Sequence, residues 1–128
     1  MYLHASGYVP ADPHNFLKNW NRSADGQWLP NPADANKPVV HVSLKEARLF
    51  CAHYGKRLPH TWEWSHAAQG SDGRVFPWGD EAGEGTRCPA LDTDSRDDRA
   101  GLHDVGAFPS GASPFGVLDL VGNVCMWT

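Results

Sequence analysis

The stretch from Asp80 to Asp104 concentrates side chains that could bind a metal ion. It holds eight acidic and three basic residues, a local net charge of −5, in a chain whose formal charge is −4. Such a cluster indicates either a site for a hard cation or a solvated acidic loop, and both interpretations stay open. The acidic positions Asp92, Asp94 and Asp97 lack the glycine and the final glutamate of an EF-hand loop.

The rest of the chain has a net charge of +1 and no basic stripe, which argues against nucleic-acid binding. No apolar run approaches the ~20 residues of a membrane span. The start of the chain, from Met1 to His4, lacks the basic flank and apolar stretch of a signal peptide. We therefore expect no nucleic-acid or membrane partner. We expect either a cytoplasmic location or that the chain is a piece of a longer protein whose location stays unknown.

Three cysteines are too few and too far apart for a zinc ribbon or a disulfide framework. Cys51 falls on the apolar face of a predicted helix, where we expect a buried, inert thiol. Cys88 lies beside the acidic stretch, whose negative charge disfavours a reactive thiolate. Cys125 is expected to pack in the core. These residues do not by themselves predict a catalytic thiol.

Seven histidines raise the possibility of an iron site. His53, His60 and His66 lie in or beside predicted helices, but none has an acidic partner at the spacing of a facial triad. We expect them to be exposed or capping residues. The sequence also lacks the GxSxG, P-loop and dinucleotide-binding patterns.

Two helices are predicted to position these residues. Ser43 followed by Glu46 forms a capping-box pattern, and Gly55 supplies the stop. A second helix is expected after Pro59, with His60 or Thr61 as its cap and Gly70 at its end. The first helix has one apolar face, formed by Leu44, Ala47, Phe50, Cys51 and Tyr54.

Thirteen glycines, ten prolines and six tryptophans in 128 residues predict one loop-rich domain rather than a helical bundle. Residues 15–20 are expected to form one or two helical turns, and residues 21–37 a loop. Short β-prone runs occur at residues 39–42 and 116–127. The stretch from 80 to 104 shows no periodicity, and a loop this long is usually functional, ion-bound or disordered.

Four blocks of sequence, in order, resemble the sulfatase-modifying-factor family. They are residues 38–43, residues 55–59 with Glu63-Trp64 and Ala67-Ala68, residues 76–80, and residues 115–124 with Trp127-Thr128. The resemblance implies an α+β, C-type-lectin-like fold with two helices, small antiparallel sheets and much irregular loop. It also implies a single family-type domain over residues 1–128, which we expect to be incomplete at both ends, with its motifs in residues 38–128.

The resemblance implies two calcium sites with a structural role. The first would use a side-chain oxygen of Asp119, the carbonyls of Gly122 and Val124, and the position of Met126, whose thioether is a poor ligand for a hard ion. The second would use the carboxylate of Asp97 and the carbonyl of Arg99. Pro89 stands where this second site has an asparagine, so each set lacks one ligand.

Members of the resembled family oxidise a cysteine of client sulfatases to formylglycine, using oxygen and copper(I) held by two cysteines. Those cysteines lie beyond the last block, so we expect no catalytic residue in this chain, and copper only where a further segment supplies cysteines. The implied partner is a protein or peptide that contains a cysteine. Departures at Pro89, Cys125 and Met126 favour an alternative, a non-catalytic lectin-like binding or scaffold module. A third possibility is the lectin-like half of a non-haem iron sulfoxide synthase of the ergothioneine type.

Overall fold

The two predicted helices are present in the computed structural model, which describes residues 3, 6–83, 86–89 and 102–128. Helix α1 spans Leu44–His53 and begins with the predicted capping box. The hydroxyl of Ser43 accepts from the backbone N–H of Glu46 at 3.4 Å, and the Glu46 carboxylate accepts from the N–H of Ser43 at 2.6 Å. The chain leaves the helix through Gly55, whose φ of 65° suits a residue without a Cβ.

Helix α2 spans Thr61–Gln69 and also matches the prediction. The backbone N–H of His60 donates to the carboxylate of Glu63 at 2.8 Å, which satisfies a group that the helix leaves unpaired. Gly70 ends the helix with φ 67°. Ala68, near the end of this helix, is buried at 3% exposure.

Contacts between residues divide the chain into two compact units. Unit 1 comprises residues 1–58 with Trp127, and unit 2 comprises residues 59–126 with Thr128. Each unit contains one of the helices. In unit 1 the described residues that are buried are Phe16 and Leu17, at 4% and 2% exposure, whereas unit 2 buries apolar side chains from several segments, including Ala68, Cys88 and Leu120.

A small hairpin in unit 1 corrects the prediction that residues 21–37 are loop throughout. Strands β1, Asn21–Arg22, and β2, Trp28–Leu29, pair antiparallel, with Arg22 opposite Trp28. Gly26 has φ 81° in the connecting turn, and the Arg22 guanidinium lies 4.9 Å from the centre of the Trp28 ring. A 3-10 helix follows at Pro32–Asp34, capped by Asn31. The fold is therefore α+β with much irregular chain, as predicted.

The expected helical turns at residues 15–20 are instead a series of tight turns. Leu17 has φ 49°, which a right-handed helix does not accommodate, and its N–H donates to the carbonyl of His41 at 2.9 Å. His41 itself has φ 58°, so the β-prone run at 39–42 does not form a strand in the described part of the chain. The hydrogen bond between two left-handed residues fixes Leu17 in the small core of unit 1.

In unit 2 an aromatic turn follows α2. Phe76 and Trp78 stack with their ring centres 5.2 Å apart, and Phe76 pairs with Gly79 in an isolated bridge. The Trp78 ring nitrogen donates to the carbonyl of Glu81 at 2.8 Å, and Asp80 accepts from the N–H of Val75 at 3.0 Å. Trp78 thus anchors an irregular turn, with its ring half-buried.

Candidate metal site and cysteine positions

Only part of the predicted metal-binding set falls within the described residues. Asp119, Gly122 and Val124 are described, whereas Asp97 and Arg99 lie outside the described ranges. The structural role of the first three can therefore be examined directly.

The last block of unit 2 is built from turns rather than from the expected β-prone pieces. Gly116, Asp119, Gly122 and Asn123 all have φ between 57° and 75°. Aspartate and asparagine tolerate this left-handed conformation better than other residues with a Cβ. Residues 121–124 form a bend, and no strand forms in residues 102–128.

One carboxylate oxygen of Asp119 accepts a hydrogen bond from the backbone of an earlier segment of unit 2. Its Oδ2 accepts from the backbone N–H of Gly106 at 2.7 Å, a contact that spans thirteen residues. Gly106 has φ 73°, so the carboxylate holds a glycine turn in place. The second oxygen of the same group has the hard, anionic character that calcium prefers.

Asn123 forms a second connection between the same two segments. Its Oδ1 accepts from the N–H of His103 at 2.9 Å, and its Nδ2 donates to the carbonyl of His103 at 3.1 Å. The two bonds fix which way the amide points. The role of this side chain was not predicted from the sequence, although a Gly-Asn pair is a typical turn signal. Together, the side chains of Asp119 and Asn123 join residues 103–106 to the last block by hydrogen bonds.

The predicted carbonyl ligands lie in a very tight turn. The N–H of Val124 donates to the carbonyl of Gly122 at 2.7 Å, so the Gly122 oxygen already accepts one bond and retains a second lone pair. At Gly122 a Cβ would approach Pro89 Cδ to 3.1 Å, so a glycine allows this close approach. The described donors suit a hard cation chemically but are fewer than the six to eight oxygens that calcium takes. Water or other residues would supply the remainder.

Met126 is engaged elsewhere. The ring N–H of Trp64, on α2, lies 3.4 Å from its sulfur, and the hydroxyls of Thr61 and Thr128 are 3.2 Å apart. The end of unit 2 is thus held along α2 by two side-chain contacts. A methionine at this position supplies a soft acceptor to an indole instead of an oxygen to an ion.

All three cysteines are free thiols. Cys51 is half-buried rather than buried as expected, because the apolar face of α1 lines an open cavity. Cys88 is 7% exposed, in the core of unit 2. Cys125 is exposed, which corrects the prediction that it packs in the core; its neighbour Met126 makes the contact with α2 instead.

The three singled-out histidines are all exposed, as predicted, and each has a ring contact. His53 meets Tyr54, His60 stacks on Trp62 and His66 meets Phe115, with ring centres 5.0 to 6.1 Å apart. In the described ranges no three His, Cys, Asp or Glu side chains are grouped so that they could hold a metal ion. None of the helices described is both long and apolar enough to cross a membrane.

Comparison with known proteins supports the resemblance noted from the sequence blocks. A family model described as "Sulfatase-modifying factor enzyme 1-like domain" matches residues 2–128. The chain is 43% identical over 98 residues to a Bos taurus protein named inactive C-alpha-formylglycine-generating enzyme 2, covering 71% of this chain and 32% of that protein.

Two other relatives carry different names. A Mycobacterium tuberculosis formylglycine-generating enzyme is 37% identical over 102 residues, covering 73% of this chain and 33% of the relative. A Mycolicibacterium smegmatis hercynine oxygenase is 36% identical over 97 residues, covering 73% and 22%. The chain therefore spans about a third or less of the length of these relatives.

Proposed function

The chain belongs to the sulfatase-modifying-factor family, whose domain is C-type-lectin-like, and on this premise we propose that it is one segment of a formylglycine-generating-type protein. In this proposal the segment supplies the folded framework and no catalytic group. The observation that carries the proposal is the family match over residues 2–128, combined with relatives named formylglycine-generating enzyme at 35–39% identity.

The placement of the thiols supports a framework role. Cys51 faces an apolar cavity in unit 1, and Cys88 is in the core of unit 2. Copper(I), the metal implied for the family's oxidation of a client cysteine, requires two converging soft ligands. In our proposal a further segment of the protein supplies those thiolates, and the client is a polypeptide that contains a cysteine.

We also propose a structural calcium ion at the last block, with Asp119 as its carboxylate and the carbonyls of Gly122 and Val124 as further ligands. The four left-handed residues and the bonds to residues 103–106 support this assignment, since they fix the backbone of the short segment that contains the carboxylate and both carbonyls. The second proposed site, with Asp97 and Arg99, would use residues of the acidic stretch.

A specific observation favours a second candidate function. The relatives at 43% and 41% identity are both named inactive C-alpha-formylglycine-generating enzyme 2. A non-catalytic binding or scaffold module is therefore the alternative, and the relatives named hercynine oxygenase give a third.

The experiment that separates these functions uses the entire gene product. It is incubated with oxygen, copper(I) and a synthetic peptide that contains one cysteine, and the peptide is analysed by mass spectrometry for an aldehyde. Aldehyde formation supports the first proposal. Peptide binding without an aldehyde supports the binding module, and oxidation of hercynine with iron supports the third candidate; either result contradicts the first.

A further inference from the structure

Unit 1 contains a cavity of about 440 Å³ that combines aromatic walls with one acidic side chain. All the residues that line it belong to unit 1, and its size falls within the range of small-molecule pockets. Five of the lining residues are aromatic: Tyr8, Phe16, Trp20, Phe50 and Tyr54. A surface of this kind suits either an apolar ligand or a cation that lies against ring faces.

Four of these rings form two pairs whose planes are inclined to each other. Tyr8 meets Phe16 with ring centres 5.8 Å apart and planes at 68°, and Phe50 meets Tyr54 at 5.1 Å and 59°. Phe16 is buried at 4% exposure, whereas Phe50 and Tyr54 are about half exposed. The cavity is therefore bounded both by a fixed ring of the small core and by rings that solvent reaches. The negative electrostatic potential of an aromatic face attracts a cation in such a partly desolvated place.

Glu46 is the single charged residue among the described residues of the lining. One oxygen of its carboxylate accepts from the hydroxyl of Tyr8 at 3.1 Å, and the other accepts from the N–H of Ser43 at 2.6 Å. Both donors are neutral, and no described side chain forms an ion pair with this carboxylate. The cavity thus has a negative charge in its lining that no cationic side chain of the described ranges matches.

The composition of the lining argues against two other kinds of ligand. Calcium takes six to eight oxygen donors, whereas Glu46 is the one carboxylate here. A neutral apolar ligand would remove that carboxylate from water without offering it a partner, which costs free energy. An organic cation avoids both problems, because its apolar groups contact the rings while its charge faces the carboxylate.

We propose that this cavity binds a small organic cation, an ammonium that carries apolar groups, with Glu46 as its counter-charge and the aromatic side chains as its walls. The proposal concerns binding by unit 1. It is independent of whether the protein converts a client cysteine.

A pair of ligands with the same shape separates the effect of charge from that of apolar contact. Choline carries a quaternary ammonium, and in its neutral analogue a quaternary carbon replaces the nitrogen. Each is titrated into the entire gene product, and binding is followed by NMR through the methyl signal of the ligand. We expect choline to bind about ten-fold more tightly than the neutral analogue.

Glutamine variants test the counter-charge. Glu46→Gln removes the charge at the third position of α1, where glutamine also completes a capping box. The matched control is Glu63→Gln, since Glu63 accepts from the backbone N–H of His60 at the start of α2 and does not line the cavity. Glu46→Gln should weaken choline binding about ten-fold and leave binding of the neutral analogue unchanged. Glu63→Gln should change neither affinity.

A leucine variant tests the aromatic wall without touching the helix cap. Tyr54 is 54% exposed, so Tyr54→Leu is expected to fold, and it should weaken choline binding by about three-fold or more. Trp62→Leu is the control, because Trp62 is 69% exposed and lies outside the cavity lining. Circular dichroism checks that each variant is folded.

Three results would overturn the proposal. The first is equal affinity for choline and its neutral analogue, which would make the cavity a purely apolar site. The second is choline binding that neither Glu46→Gln nor Tyr54→Leu weakens. The third is no binding of choline to the entire gene product, which includes the case in which other polypeptide or a second copy already fills the cavity.

Discussion

The side-chain amide of Asn123 forms two hydrogen bonds with the backbone of His103, accepting from its N–H at 2.9 Å and donating to its carbonyl at 3.1 Å. The pair closes a loop of twenty residues that contains a short 3-10 helix, Pro109–Gly111, and no strand. Its neighbour Asp119 holds Gly106 in a similar way. Side chains thus replace a sheet as the organiser of the last block.

Replacing Asn123 with alanine should destabilise the protein by about 2 kcal/mol, since two bonds to half-buried backbone groups are lost. Chemical denaturation measures the change. The matched control is Asn123→Gly, which keeps the left-handed backbone, φ 57°, and removes only the side chain. If the glycine variant were as stable as the parent, the bonds to His103 would contribute nothing.

The capping box of α1 gives a second prediction. Ser43→Ala removes the hydroxyl that accepts from the backbone N–H of Glu46, and we expect a loss of about 1 kcal/mol in the free energy of unfolding. Ser43→Asp keeps an acceptor at the helix start and should retain most of that stability. A Ser43→Ala variant as stable as the parent would show that the cap does not stabilise this helix.

Both helices could be predicted because their start and stop signals are local. Ser43 and Glu46 mark the start of α1, and the glycines at 55 and 70 mark the ends of the two helices. These signals lie beside the helix ends in the sequence, so they can be recognised without knowledge of distant contacts. The face of α1 was also predicted correctly. Its burial was not, because exposure depends on what covers the helix, and periodicity carries no information on that.

The wrong predictions of helical turns at residues 15–20 and of β-prone runs at 39–42 and 116–127 share one physical cause. Leu17, His41, Asp119 and Asn123 adopt left-handed backbone conformations that interrupt segments with helical or β-prone patterns. Leucine and histidine enter this region rarely, and tertiary contacts such as the bond between Leu17 and His41 select it here. At the candidate site Asp119 was predicted as a ligand from the family resemblance, whereas the organising role of Asn123 is visible only in the structure.

The contact between Asp72 and Arg74 leads us to expect that the stability of the protein depends on pH in the acid range. Hydrogen bonds from the Arg74 guanidinium lower the pKa of the Asp72 carboxyl from 3.8 to about 2. Because the pKa is lower in the folded state, the stabilisation is present above pH 3.8 and is lost as the pH falls from 3.8 towards 2. NMR titration of this carboxyl measures the shift. In Arg74→Gln the pKa should return towards its ordinary value; an unchanged titration would exclude the guanidinium as its cause.

The proposed calcium ion should raise the melting temperature of the chain by about 2–5 °C at millimolar concentration, reversed by a chelator. Asp119→Asn keeps an acceptor for Gly106 but removes the charge, and should abolish the rise. Met126→Asp adds an oxygen ligand and should enlarge it. The control for the lost contact with Trp64 is Met126→Leu, which should leave the calcium effect unchanged. If the melting temperature of the parent protein changes with neither calcium nor chelator, the proposed calcium site is contradicted.

These 128 residues belong to the sulfatase-modifying-factor family, and we propose that they form its framework and supply no catalytic thiol. The most direct measurement incubates the purified 128-residue chain with copper(I), oxygen and a peptide that contains one cysteine, and analyses the peptide by mass spectrometry. We predict that the cysteine remains unconverted. An aldehyde product that disappears when Cys51, Cys88 or Cys125 is replaced by alanine in a folded variant would contradict the claim.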